Sequence, residues 1–468
     1  MGSYIAISAA CVLFLVALII VIKLKKFSVA GLTCLAMAFL CFVCMFVFPP
    51  YTVPDENIHF RNSYYVSNKQ MFNFKDKENT LHMRKCDNEY LVNSRVSIKD
   101  QKYIRDNDYD KFFATDKEVI ETNHTHINKK ALPYVASGTG ITVARIIGLG
   151  PYWTFQLSRM FNVAMLIAMI YFAIKITPVG KAALSAIALI PMSLHIAAST
   201  SYDNFTFGGI MLIFAYVMRF VYEKKNISWK ELLILAVMIA LIVPQKVVYI
   251  AVAAILLIIP KDNFAQPKLH FAFKCALGLI AVASIIILQM GHASKMLSET
   301  SVSYSDVAGY DMGYILQNPI QILKLLVNTV HMQSDFYIKS IIAFFGWFEL
   351  EMPWFLVIPY IVVLLMSFMY IEEEPAPLGL AQKFYSLLLF GLAFLFIEIT
   401  LLLDHTTRDS QNILGVQGRY FIPALPLLFL FVRNSMVTIK KNFYKYLIFA
   451  MSSMNCCMFI YCLAKTIV

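Results

Sequence analysis

Charge is scarce in this 468-residue chain: Asp, Glu, Lys and Arg together make up 15% of it, where a soluble domain carries about 25%. That shortage argues against a water-soluble globular class. Other absences narrow the chemistry. No G-x-G-x-x-G follows a strand pattern and no P-loop is present, so a nucleotide-binding loop has no signature. No Cys/His spacing suits zinc. Of nine cysteines, only Cys86 falls in a long polar loop, which leaves no disulfide framework. No small-residue cleavage site follows the first apolar run, which reads as a retained span. No repeat of fixed period is visible, and this weakens an inverted-repeat transporter.

What is abundant is hydrophobic sequence, 59% of the chain. Runs such as "YIAISAACVLFLVALIIVI" and "AGLTCLAMAFLCFVCMFVF" approach the roughly 20 residues that cross a bilayer core. The expected fold is an all-α integral membrane protein of about twelve transmembrane helices. They lie near 4–22, 30–48, 155–174, 182–199, 206–221, 231–244, 247–260, 269–290, 354–370, 384–403, 420–434 and 446–464. The pair within 231–260, broken by "PQK", is alternatively a re-entrant hairpin. The formal net charge of +11 does not call for nucleic acid, because Lys and Arg gather in short loops. "KLKK", "KITPVGK", "YEKKNISWK", "KDNFAQPK" and "IKKNFYK" fall on one side, assigned to the cytoplasm by the positive-inside bias.

Three larger loops, at about 49–153, 291–353 and 404–419, then face outward together with both termini. Within the first loop, "ALPYVASGTGITVARIIGLG" reads as a helix lying in the membrane interface. The implied organisation is an additional N-terminal helix and turn (1–29), a core (30–436), and a cytoplasmic loop with a C-terminal helix (437–468).

Three polar clusters sit at the outer ends of spans. In "VPDENIHF", Pro54 suits a first helical turn; Asp55 and His59, and likewise Glu56 and His59, then share a face. A carboxylate there can act as a general base, cap the helix, or join the other two in holding a divalent cation (Mg or Mn). Arg61 follows closely. In "PMSLHIAASTSYDNFTF", His195 lies within a span, and Tyr202 and Asp203 stand at its outer end. Polar residues in spans are functional candidates by default, against the plainer roles of an interhelical hydrogen bond for His195 and an N-cap for Asp203. In "VQGRYFIPALPLLFL", the Arg419 fork matches phosphate oxygens or snorkels to headgroups, and Tyr420 suits an interface. Arg159 and Lys246 add cations near the apolar layer. Together these would serve transfer from a lipid-phosphate-linked donor, a carboxylate taking a proton while cations stabilise the leaving phosphate.

"PPYTVPDENIHFRNSYYVSNKQ" resembles the hallmark of a bacterial polytopic membrane family catalogued only as a domain of unknown function, DUF2142. "LPYVASGTGITVARIIGLG" with "LSRMFN", "IPMSLHIAASTSYDN", "FFGWFE" and "QGRYFIPALPLL" match in the same order. Here Pro54 adjoins the acidic pair and an additional span precedes the motif. That family in turn resembles the membrane glycosyltransferases of GT-C architecture. The resemblance implies a catalytic Asp55 in the first outer loop beside Glu56 and His59. It also implies Arg419, and Lys246 in "VPQKVVY", toward a polyprenyl-phosphate sugar donor; the cluster reading adds Arg61, Arg159 and Tyr420 on the donor side, with Tyr202, Asp203 and His195 near the acceptor or supporting the site.

The resulting expectation is a multi-pass protein of the bacterial cytoplasmic membrane, active on its extracytoplasmic face toward a cell-surface glycan or lipid-linked acceptor. The alternatives are a flippase or exporter of lipid-linked saccharides, and a non-catalytic partner in envelope polysaccharide assembly. No firm cofactor and no nucleic-acid partner are expected.

Overall fold

The computed structural model describes residues 2–467 apart from 25–26, 78, 93–95, 101–110, 125–130, 224–225, 265 and 299–307; parts of the first and second expected outer loops therefore lie outside the described residues. Among the described residues six helices are long and apolar enough to cross a bilayer: Tyr4–Leu24, Val29–Val47, Pro151–Ile176, Asp203–Tyr222, Leu380–His405 and Phe443–Thr466. Many of their apolar side chains face outward, among them Leu13, Val16, Ile20, Phe172, Phe384 and Leu388. Water would penalise such faces and lipid does not. The chain is thus a mainly helical, membrane-integral protein.

Of the other six expected spans, the one near 269–290 is a continuous helix, Pro267–Ser298, and the other five are helical but short or broken. The segment expected at 182–199 breaks at Ile190, where Pro191 restarts the chain as a second short helix, giving Lys181–Leu189 and Pro191–Ala197. Proline lacks the N–H that would have continued the first helix. Both halves are almost wholly buried, the setting in which interrupted backbone is tolerated at membrane depth. The expected hairpin region is a 14-residue helix, Trp229–Ile242, followed by irregular turns through Pro244.

We label the elements that position the site: α1 (Gly2–Leu24), α2 (Val29–Val47), α3 (Glu56–Gln70), α4 (Val135–Ile147), α5 (Pro151–Ile176), α6 (Lys181–Leu189), α7 (Pro191–Ala197) and α8 (Asp203–Tyr222). The loop after α2 does not trail away. It forms α3 and a two-stranded antiparallel sheet, β1 (Leu81–Arg84) with β2 (Val119–Thr122), and returns through α4. Tyr51, Phe60, Tyr64, Leu81, Met83, Tyr134, Ile141 and Phe155 make a core of their own there, separate from the main apolar core of the bundle. Buried ion pairing ties the layer down. The Arg84 guanidinium donates to Asp87 at 2.7 and 2.9 Å and to Thr154 at 2.9 Å, and the Tyr64 hydroxyl donates to Asp87 at 2.8 Å.

The segment expected as an interface helix is α4, wedged between α3 and α5. A Cβ at Gly140 would lie 2.5 Å from the Leu157 carbonyl oxygen, so only glycine permits that approach. All nine cysteines are unbridged.

Candidate functional site

One buried pair organises the site. Arg159, on α5, donates from Nε to Glu56 Oε1 at 2.8 Å and from Nη2 to Oε2 at 2.6 Å. Neither side chain is exposed to solvent. The guanidinium also donates to the carbonyl of Phe48 at 2.8 Å, which the end of α2 leaves without an intrahelical partner, and to that of Pro49 at 3.1 Å. Glu56 accepts from the backbone amides of Tyr51 at 3.0 Å and Thr200 at 3.3 Å. The pair therefore clamps the 49–55 turn, the start of α3 and the 199–201 loop onto α5. One turn further along α5, the Asn162 amide donates to the carbonyls of Ser199 at 2.8 Å and Ser201 at 2.9 Å. The motif "LSRMFN" is thereby explained: its Arg holds the 49–55 turn and its Asn the 199–201 loop.

This geometry reassigns two expected site residues. Arg159 spends its donors on Glu56 and backbone carbonyls, so it has little to offer a phosphate. Glu56 accepts from four donors inside the protein and does not face a substrate. A divalent ion held by Asp55, Glu56 and His59 does not fit either. With Glu56 consumed, no group of three His, Cys, Asp or Glu side chains that could hold a metal occurs among the described residues.

Asp55 is different. It takes the position just before α3 with φ +62°, a left-handed conformation uncommon outside glycine but tolerated by Asp. Its side chain makes no capping hydrogen bond. Pro54 falls outside the helix rather than in its first turn, and the kink turns Asp55 away from Glu56. Its carboxylate is half exposed and stands 4.0 Å from the Arg419 guanidinium.

Arg419 is the second residue of the segment Gly418–Ala424, where a Cβ at Gly418 would run into the Tyr337 carbonyl. It is 8% exposed, and its Nε has no hydrogen-bond partner. Beside it lies a narrow cleft of about 30 Å³ lined by Arg419, Asp203, Ser193, Asn204, Tyr249 and the apolar Met192, Ile196, Phe207, Ile422 and Pro423.

Lys246 pairs with Asp203 at 2.9 Å and lies 4.4 Å from the ring centre of Tyr420, with Tyr202 and Tyr249 at 5.5 and 5.9 Å. Asp203 is the first residue of α8, so its carboxylate serves Lys246 rather than an N-cap.

His59 lies under Asp55 and bonds through Nδ1 to the Tyr134 hydroxyl at 2.9 Å and through Nε2 to Ser201 Oγ at 3.4 Å. Burial pushes its pKa down from the ordinary histidine value to about 4; Arg419 and Lys246 act with burial, Asp55 and Asp203 against it. The imidazole is neutral near neutrality. An unfolded chain would take up that proton below about pH 6.5, whereas the folded one resists until about pH 4. The stability it contributes is thus full above pH 6.5 and is lost as pH falls through this window, roughly 3 kcal/mol in all. Between pH 7 and 4.5 the native protein should lose more thermal stability than His59→Gln; parallel losses would refute the linkage.

Arg61 remains half-buried, with its Nε donating to the Asn57 carbonyl at 3.3 Å, and is not among the residues lining the cleft. His195 points away from it. Its ring meets Phe48 and Phe345 at 4.5 and 5.4 Å, and Nε2 accepts from the Gly346 amide at 3.4 Å. It packs the "FFGWFE" turn onto the bundle. In that same turn Trp347 donates to the Tyr51 carbonyl at 3.3 Å, and Glu349 accepts from Ser97 at 2.7 Å. Tyr134, Tyr249, Ser201 and Asn162 went unnoticed in the sequence. Only the apposition of four separate segments reveals them.

These features define an integral membrane protein with a charged cleft at one end of its helices. Residues 38–428 match the family described as predicted membrane protein (DUF2142), and the chain belongs to that family. No curated protein and no solved structure matches the chain.

Proposed function

We propose that the protein is a glycosyltransferase of the membrane, moving a sugar from a polyprenyl-phosphate donor to a cell-surface glycan or lipid-linked acceptor. The observation that carries this reading is the cleft at Arg419, where a buried guanidinium with an uncommitted donor sits over an apolar slot. A phosphate on an isoprenoid needs that pairing, a fork for oxygens and a dry wall for the chain. The resemblance to GT-C enzymes points the same way.

In this mechanism Asp55 takes the proton of the acceptor hydroxyl as its oxygen attacks the anomeric carbon. The bond from that carbon to the phosphate oxygen breaks, and the phosphate leaves with the electron pair. Arg419 meets the departing charge, and Lys246 reaches it from its tyrosine-lined seat. The step is assigned no metal. By the placement of Lys and Arg, the cleft faces outward from a bacterial cytoplasmic membrane.

A donor screen tests this: purified protein is offered polyprenyl-phosphate sugars, with and without chelator. Arg419→Gln should raise the KM for the donor by roughly 30–100-fold, the loss expected for a charged hydrogen-bonding partner, with the melting temperature little changed. An unchanged KM would remove Arg419 from phosphate recognition.

A further inference from the structure

The opposite end of the bundle holds a larger cavity, of about 600 Å³. It lies between the start of α2, the end of α5, the start of α6 and a parallel strand pair, β3 (Tyr370–Ile371) with β4 (Thr438–Ile439). At 1.5 Å per residue, roughly 24 Å of helix separates Arg159 from Lys175, which approaches the roughly 30 Å thickness of a bilayer core. The two openings thus serve the two membrane faces.

The charges around this cavity are partly spent. Glu373 pairs with Lys441, and Glu374 accepts from Arg433 at 3.2 Å and from the Gly180 amide at 3.0 Å. Lys175 and Lys181 have no carboxylate partner among the described residues, against the single remaining carboxylate of Glu372. Val29 and Ala30, in the first turn of α2, also border the space, and the N-terminal end of a helix favours an anion. Ile174, Ala182 and Ile371 supply apolar wall. Amines and a helix N-terminus over an apolar groove between membrane spans match one ligand chemistry, a phosphate headgroup carrying acyl chains.

We propose that this cavity seats the headgroup of an anionic phospholipid from the leaflet opposite the Arg419 cleft. The bound lipid braces the junction where the β3–β4 pair ties the 367–380 connection to the 432–443 connection. This proposal stands apart from the transfer reaction and does not depend on it.

The test uses the full chain in detergent micelles, with phosphatidylglycerol, phosphatidylcholine and glycerol 1-phosphate as probes. Melting temperature and lipid retained in native mass spectrometry are the readouts. Phosphatidylglycerol should be retained with a preference of roughly 30-fold over phosphatidylcholine, the effect of two lysines at an anionic headgroup, and should raise the melting temperature. Lys175→Gln/Lys181→Gln should lose the preference while melting normally without lipid, and Lys175→Arg/Lys181→Arg should keep it. Equal retention of both lipids, a preference that survives in the glutamine variant or is lost in the arginine one, a glutamine variant that fails to fold, or full reproduction of the shift by glycerol 1-phosphate would each overturn the proposal.

Discussion

Glu56→Gln should cost the protein about 3–5 kcal/mol of stability, the range for removing one partner of a buried ion pair. The substitution keeps the shape of the side chain and removes its charge. Arg159 would then remain at 0% exposure with its guanidinium charge uncompensated, and desolvation makes that state expensive. The loss should appear as a lower yield of monodisperse protein in detergent and a lower melting temperature. Arg159→Leu should be as damaging, since it strands the Glu56 carboxylate and removes the donors to Phe48 and Pro49. Glu56→Leu/Arg159→Leu should recover part of the loss, because no isolated charge remains. The recovery should be incomplete, as the Phe48 carbonyl still loses its donor. A Glu56→Gln protein that melts like the native one would show that the clamp does not hold the site together.

That result bears on how much of the site could be read in one dimension. Ionisable residues at the ends of apolar runs stand out, and the structure sets four of them in two close pairs, Asp55 with Arg419 and Asp203 with Lys246. The division of labour within "PDEN" was not legible. Consecutive residues on a helix point about 100° apart, and the positive φ at Asp55 decides which carboxylate turns inward. No propensity rule specifies that angle for an Asp. Arg159 misled for a related reason. An arginine in an apolar run looks alike whether it faces a cavity or a buried Glu on another helix, and its partner lies 103 positions away. The span count suffered at Pro191 and Pro244, where hydrophobicity continues but the helix does not. Apolar composition reports immersion, and only backbone hydrogen bonding decides where a helix ends.

In the proposed reaction, Asp55→Asn should abolish most sugar transfer and leave the fold intact. Removing a general base typically costs 10²–10⁴-fold in rate, which corresponds to about 3–5 kcal/mol of transition-state stabilisation. The fold should tolerate the change for three reasons. Asn adopts the left-handed region as readily as Asp. The Asp55 side chain is 49% exposed and makes no cap hydrogen bond. Its contact with Arg419, at 4.0 Å, is too long to hold the turn, which the Glu56–Arg159 clamp already fixes. The rate should therefore fall while the melting temperature and the donor KM stay near native values. This split separates proton transfer from donor binding, since the loss of an interaction made only in the transition state lowers kcat alone. Asp203→Asn provides the contrast. It releases Lys246 from its partner at 2.9 Å and should shift donor KM more than kcat. If Asp55→Asn transfers sugar at the native rate while Asp203→Asn loses it, the base belongs on α8, and Asp55 does no more than shape the rim of the cleft.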